Sequence, residues 1–240
     1  MVETLIGIEE PKDKAQAKKN PVQYYVKFSF VITYILLLTT ATITFIEAMR
    51  TKVPQVRHIL NLETAISVIA GYFYSVFVQQ IDKFNAESKQ IAWEDITKTR
   101  YIDWSITTPI MLLVLCVVLG TNSGVTVKLP VIGTIILLNY AMLYFGYLGE
   151  NGIWTRFNSM IAGFVAFFAM FGIIFNTFVQ PRYVHANYIL YGIYLFLWSL
   201  YGVVYMFGEE YKNIATNILD FTAKCFVGIG LWAYYTKIVV

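Results

Sequence analysis

Arg100-Tyr101-Ile102-Asp103-Trp104-Ser105-Ile106-Thr107-Thr108-Pro109 leads without a break into the apolar stretch Ile110 to Leu119. The run places two opposite charges in a segment otherwise apolar and long enough to cross a membrane, which takes roughly 20 residues as a helix. A charge at mid-span costs about 2.5–3.5 kcal/mol on insertion scales, so each one needs a function. On a helix, Arg100, Asp103 and Thr107 share one face at steps of three and four. Thr107 is expected to donate a hydrogen bond to Asp103, and Arg100 to balance a second carboxylate.

A second carboxylate stands in the last apolar segment, Ile218-Leu219-Asp220-Phe221-Thr222-Ala223-Lys224. Asp220 and Lys224 are four residues apart and share a helix face. One reading is a self-neutralising pair that eases insertion. The other is a lysine that condenses with an aldehyde to a Schiff base. Spacing alone leaves both open.

The rest of the chain has the same character. Of its 240 residues 58% are hydrophobic and only 14% charged, where a soluble domain carries about a quarter charged. Most of the surface therefore faces something other than water. Candidate spans lie near 22–49, 58–80, 97–119, 127–148, 154–179, 186–208 and 213–237, and turn formers or charges fill the gaps. Uninterrupted runs of this length exclude barrel strands, so the expected fold is an all-α, seven-helix membrane bundle. It forms one domain, 22–240, preceded by a polar segment, 1–21. That segment lacks the apolar core and small-residue cleavage site of a signal peptide. Cys116 and Cys225 both fall in apolar segments and suggest neither a disulfide framework nor a metal site. The small net charge, +3, points to no nucleic-acid partner; membrane lipids are the expected surroundings.

Loop charges orient the bundle. Arg50, Lys52, Arg57, Lys128 and Arg182 lie at the first, third and fifth loops, while Asp82, Glu87, Glu94, Asp95, Glu150, Glu209 and Glu210 lie at the others. Basic residues mark the cytoplasmic side. The N-terminus is therefore expected outside and the C-terminus inside, although Lys83, Lys89, Lys98, Lys212 and the N-terminal lysines weigh the other way.

With these residues in place, the sequence resembles the microbial rhodopsins, including viral members of that family. The resemblance rests on the Arg-Tyr-x-Asp-Trp-x-x-Thr-Thr-Pro run at 100–109, the pair Asp220 and Lys224, Trp198-Ser199-Leu200-Tyr201, and Gly146-Tyr147-Leu148-Gly149-Glu150. It implies all-trans-retinal bound as a Schiff base on Lys224, with Asp103 and Asp220 as counter-ions. Asp103 would accept the proton after illumination and Arg100 would control its exit. Trp104, Trp198 and Tyr201 would enclose the polyene, with Thr108, Met111, Met142, Gly146 and Tyr205 completing the pocket. An apolar residue at Met111 implies green absorption. The resemblance also implies a homo-oligomer and a transporter, not an enzyme.

Several positions depart from the family pattern. Gly202 replaces a proline after the pocket tyrosine, and Asn139 replaces an aspartate of some relatives. Val114 stands where many outward proton pumps carry the carboxylate that returns a proton. Glu63, near the cytoplasmic start of the second span, is the candidate substitute; the alternative is a boundary glutamate facing water or headgroups. Glu47 is expected to be solvated at the membrane edge. Glu209 and Glu210 are expected to open the sixth loop, as exposed acids or as a proton-holding site, and Lys212 stands near the place of a second release carboxylate.

These features favour a light-driven outward proton pump. Chloride pumps generally lack the carboxylate at position 103, and the asparagine, aspartate and glutamine pattern of sodium pumps is absent. A light-gated cation channel is the main alternative, although Cys225 stands where channel relatives often have asparagine. Glu63 and Asn217 would line another path. A sensory photoreceptor with a slow photocycle is the third reading.

Overall fold

The computed structural model describes residues 21–86 and 90–236; segment 1–20, with its expected extracellular placement, and loop residues Glu87 and Lys89 lie outside them. Seven helices follow one another: α1 (Pro21–Arg50), α2 (Pro54–Ala86), α3 (Trp93–Ser123), α4 (Leu129–Glu150), α5 (Arg156–Val179), α6 (His185–Val204) and α7 (Glu209–Tyr235). All seven are long and apolar enough to cross a membrane, and the described residues contain no strand.

The boundaries have local causes. Glu94 and Asp95 lie in the first turn of α3, at the positive end of its dipole. The same helix stops at Gly124, whose φ of 72° is left-handed and whose N–H returns to Gly120 and Thr121. Thr155 caps α5 by accepting from the Asn158 N–H. The last two expected spans differ from the structure. The sixth helix ends at Val204 and α7 begins at Glu209, so Glu209 and Glu210 form a first helical turn and not a loop. Acids suit that position for the same dipole reason.

Besides a π turn that ends α5 over Phe175–Val179, two irregularities sit inside spans. Pro109 has no N–H to give the Ser105 carbonyl one turn back. The Tyr140 hydroxyl of α4 donates to that carbonyl at 3.0 Å, so the freed group is satisfied within the bundle. In α7 the helix widens to π geometry over Phe221–Phe226, a segment that contains Lys224. Such single wide turns often occur at functional positions.

Burial is inverted relative to a soluble protein. Large apolar residues such as Phe28, Leu137, Val165 and Phe196 are exposed on the outside of the bundle, while Arg100, Asp103, Asp220 and Lys224 are buried within it. Leu112, Leu115 and Leu119 of α3 pack with Phe167, Phe171 and Phe178 of α5 into an apolar mass around the C-terminal half of α3. Helices α4 and α5 approach closely at Gly149. A Cβ there would stand 2.7 Å from Ser159 Oγ and 2.8 Å from Ser159 Cβ. Gly149→Ala is therefore expected to push the two helices apart and cost about 1–3 kcal/mol. Thermal unfolding in detergent reads this directly, and an unchanged midpoint would mean that the crossing yields freely.

Candidate functional site

Helices α3 and α7 bring four charges together at mid-bundle. Lys224 Nζ lies 2.9 Å from Asp103 Oδ2 and 3.4 Å from Asp220 Oδ2. Arg100 Nη1 is 3.6 Å from Asp220 Oδ2. Two cations and two anions thus cancel in a region where an unbalanced ion would cost several kcal/mol.

The two carboxylates are held differently. Asp220 accepts from the Tyr74 hydroxyl at 2.8 Å, the Tyr201 hydroxyl at 2.7 Å and, at 3.4 Å, the Trp104 indole. Asp103 has Lys224 on one oxygen, and its buried Oδ1 has no hydrogen-bond partner. The Thr107 hydroxyl, expected on that carboxylate, donates instead to the Asp103 backbone carbonyl at 2.9 Å. A threonine inside a helix reaches the carbonyl four residues back more readily than a side chain on the same face.

Arg100 is held away from Asp103. Its guanidinium donates to Asn217 at 2.8 Å, Asn213 at 3.0 Å and Tyr74 at 3.3 Å. It also lies 5.0 Å from the Phe77 ring centroid and 5.2 Å from that of Phe30. Asn213 and Tyr74 escaped the sequence reading as partners. Their signal was present in the asparagines of α7, which fall on the face of Asp220 and Lys224.

From Lys224 a cavity runs between α3, α4, α5, α6 and α7 with about 1080 Å³ of free space, its mouth included. Trp104, Thr108, Met111 and Met142 line it, as do Gly146, Trp198, Tyr201 and Tyr205. Phe164, Phe167 and Gly202 line it as well, although sequence reasoning did not select the two phenylalanines. Gly202 has a packing reason for lacking a side chain, because a Cβ would run into the Phe164 ring. Asn139 donates to Thr108 at 2.8 Å, tying α4 to α3 beside the cavity. A primary amine at the end of a mainly apolar, aromatic-walled cavity, with an open carboxylate oxygen beside it, fits an aldehyde on a long unsaturated chain.

At the N-terminal end of α7, Lys212 donates to both oxygens of Glu150, at 3.0 and 2.8 Å, and lies 2.9 Å from Glu209. Arg156 pairs with Glu150 at 3.2 Å and also with Glu209. Glu209 is therefore not a free loop acid. Both Glu150 and Lys212 also line the cavity that reaches Lys224.

Glu63 lies on α2 with 2% exposure. It does not face water, as a boundary glutamate would. Its carboxyl lies against Gly228 of α7, one turn beyond Lys224: a Cβ on Gly228 would be 2.9 Å from Glu63 Oε2.

The profile of the family described as bacteriorhodopsin-like protein matches residues 25–238. The chain belongs to this family. The viral rhodopsin OLPVRII superposes with a TM-score of 0.82 at 43% identity, over 90% of this chain and 99% of that one. The green-light absorbing proteorhodopsin of gamma-proteobacterium EBAC31A08 is 29% identical over 160 residues, 59% of this chain and 62% of that protein. The match thus spans just under two thirds of that relative. Bacteriorhodopsin of Halobacterium salinarum is 26% identical over 198 residues, 77% of this chain and 68% of the relative. As a member of the microbial rhodopsins with seven helices long and apolar enough to cross a membrane, the protein is a multi-pass membrane protein.

Proposed function

We propose that the protein is a retinal-binding, light-driven outward proton pump with its N-terminus outside the cell. The observation that carries this reading is the unequal treatment of the two carboxylates beside Lys224. Asp220 is saturated by Tyr74, Tyr201, Trp104 and Arg100, and it remains the fixed negative charge. Asp103 keeps one oxygen free, and it takes the proton that leaves the Lys224 nitrogen. Bound retinal supplies the light-driven change of shape that breaks the contact between that nitrogen and its carboxylate.

The chain's own residues then set direction. Once Asp103 is neutral, Arg100, already bonded to Asn213, has one anion fewer nearby, and its side chain is free to turn from Asp220 toward the outer cluster. Glu150 and Glu209, bridged there by Lys212 and Arg156, form the exit. Glu63, enclosed and with no ion-pair partner among the described residues, is held as the neutral acid, because a buried lone carboxylate is costly. It resupplies the Lys224 nitrogen from the cytoplasmic side.

Glu63→Gln keeps the shape but removes the transferable proton. Reprotonation of the Lys224 nitrogen, followed by flash absorption, is expected to slow by about 100-fold or more. An unchanged rate removes Glu63 from the pathway.

A light-gated cation channel is the second reading. It is favoured by the buried polar residues that α1, α2 and α7 share, among them Ser29, Thr33, Asn217 and Glu63. Currents that reverse with the cation gradient distinguish it from a pump.

A further inference from the structure

The neighbours of Glu63 raise a question that its burial alone does not answer: how a proton crosses from its carboxyl to Lys224. The direct route along α3 is closed to proton transfer. Leu112, Val114 and Leu115 are fully buried there, and they offer no hydrogen-bonding side chain.

The seam between α1, α2 and α7 is different. Tyr74 of α2 bonds Asp220 and Asn217 of α7, and Glu63 of α2 meets Gly228 of α7. These two contacts fix the register of the antiparallel pair. Ser67, one turn beyond Glu63 toward Tyr74, then falls level with Lys224 and Cys225. Helix α1 runs parallel to α7, with Ser29 at Asn217 and Thr40 beside Gly228. Thr40 Cγ2 would be 3.3 Å from the same Cβ position that Glu63 Oε2 approaches at 2.9 Å.

Thr40 is 1% exposed and Ser67 0%. Ser67 Oγ has no hydrogen-bond partner and Thr40 Oγ1 no oxygen or nitrogen partner among the described residues; the Thr40 hydroxyl meets the thiol of Cys225, the residue after Lys224, and Thr44 nearby bonds both Thr64 and the Thr40 carbonyl. Buried hydroxyls are nearly always paired, and an unpaired one costs about 1–3 kcal/mol. One unpaired hydroxyl and one that meets only a weakly bonding thiol, flanking one buried carboxyl, point to a common polar partner between them, and a hydroxyl both accepts and donates.

We propose that Thr40 and Ser67, bridged by buried water, form the relay that passes a proton from Glu63 to the Lys224 nitrogen along the α1, α2 and α7 seam. The inference rests on Glu63 as the cytoplasmic donor. The Glu63 O–H bond breaks and an N–H bond forms at Lys224 Nζ. Each hydroxyl or water between them accepts one proton and releases another. Glu63 is left as a carboxylate and regains its proton from the cytoplasm. Gly228 is part of the device, because any side chain at that position would occupy the space of the carboxyl.

The test uses the full chain reconstituted with all-trans-retinal and compares Thr40→Val, Ser67→Ala, the double variant and Glu63→Gln. Each relay variant is expected to slow recovery of the proton at Lys224 by about ten-fold, the double variant by more, with the dark absorption band unchanged. Azide, a small permeant acid, should restore the rate in all of them. A second readout needs no bound retinal. The infrared carboxyl stretch of Glu63, identified by its loss in Glu63→Gln, should shift in Thr40→Val and in Ser67→Ala. If Glu63→Gln is slow while the double variant recovers at the wild-type rate with an unshifted stretch, the relay is wrong and the donor stands. If Glu63→Gln itself recovers normally, the donor reading fails and the relay with it.

Discussion

Asp103→Asn is expected to bind retinal and yet transport no protons under illumination. Asparagine fills the same volume, so the packing of α3 against α7 survives. What is lost is the one of the two carboxylates at Lys224 whose second oxygen is free. Asp220 cannot take over, because Tyr74, Tyr201 and Trp104 already occupy its oxygens and Arg100 lies 3.6 Å away. Accepting a proton there would mean breaking charge-assisted hydrogen bonds, each worth about 1.5–3 kcal/mol. Transport, read as light-induced acidification around cells, should fall by at least about 100-fold. Pumping near the wild-type rate in this variant would show that Asp220 or another group is the acceptor.

Lys224→Ala is expected to abolish the visible band altogether, since among the described residues the one other lysine that lines the cavity is Lys212. The Lys212 ammonium at its outer end is engaged by Glu150 and Glu209. The substitution has a second consequence that does not depend on retinal. It leaves Asp103 and Asp220 buried with Arg100 as the sole cation, and removing one partner of a buried pair costs about 3–5 kcal/mol. Retinal-free Lys224→Ala should therefore unfold at a lower temperature than retinal-free wild type. The double variant Lys224→Ala/Asp103→Asn should recover much of the loss, because the uncompensated charge is gone. A covalent visible band that survives in Lys224→Ala would sink the attachment. Equal melting of the single and double variants would contradict this balance of charges.

The seven helices were legible because length and hydropathy are local properties of the chain. The charges of α3 and α7 were legible for the same reason: an ion in an apolar run is visible without a partner. Their division of labour was not. That Asp220 collects Tyr74 and Tyr201 depends on the rotation of α2 and α6 about their own axes, which no single span reveals. Thr107 shows the limit of helix-face reasoning, since sharing a face with Asp103 placed its hydroxyl within reach of the backbone first. Glu150 looked like a loop acid, yet with Lys212, Arg156 and Glu209 it joins the ends of three helices. Glu63 sat between two readings in the sequence, and only the position of Gly228 across the seam removed it from water.

The most direct test of outward pumping is the photocurrent under voltage clamp, recorded with equal solutions on both sides and again with imposed proton and cation gradients. A pump of the kind proposed gives an outward current at zero gradient that keeps its sign across the accessible voltages. A current that vanishes without a gradient and reverses where the cation gradient dictates would contradict the account and make the protein a channel.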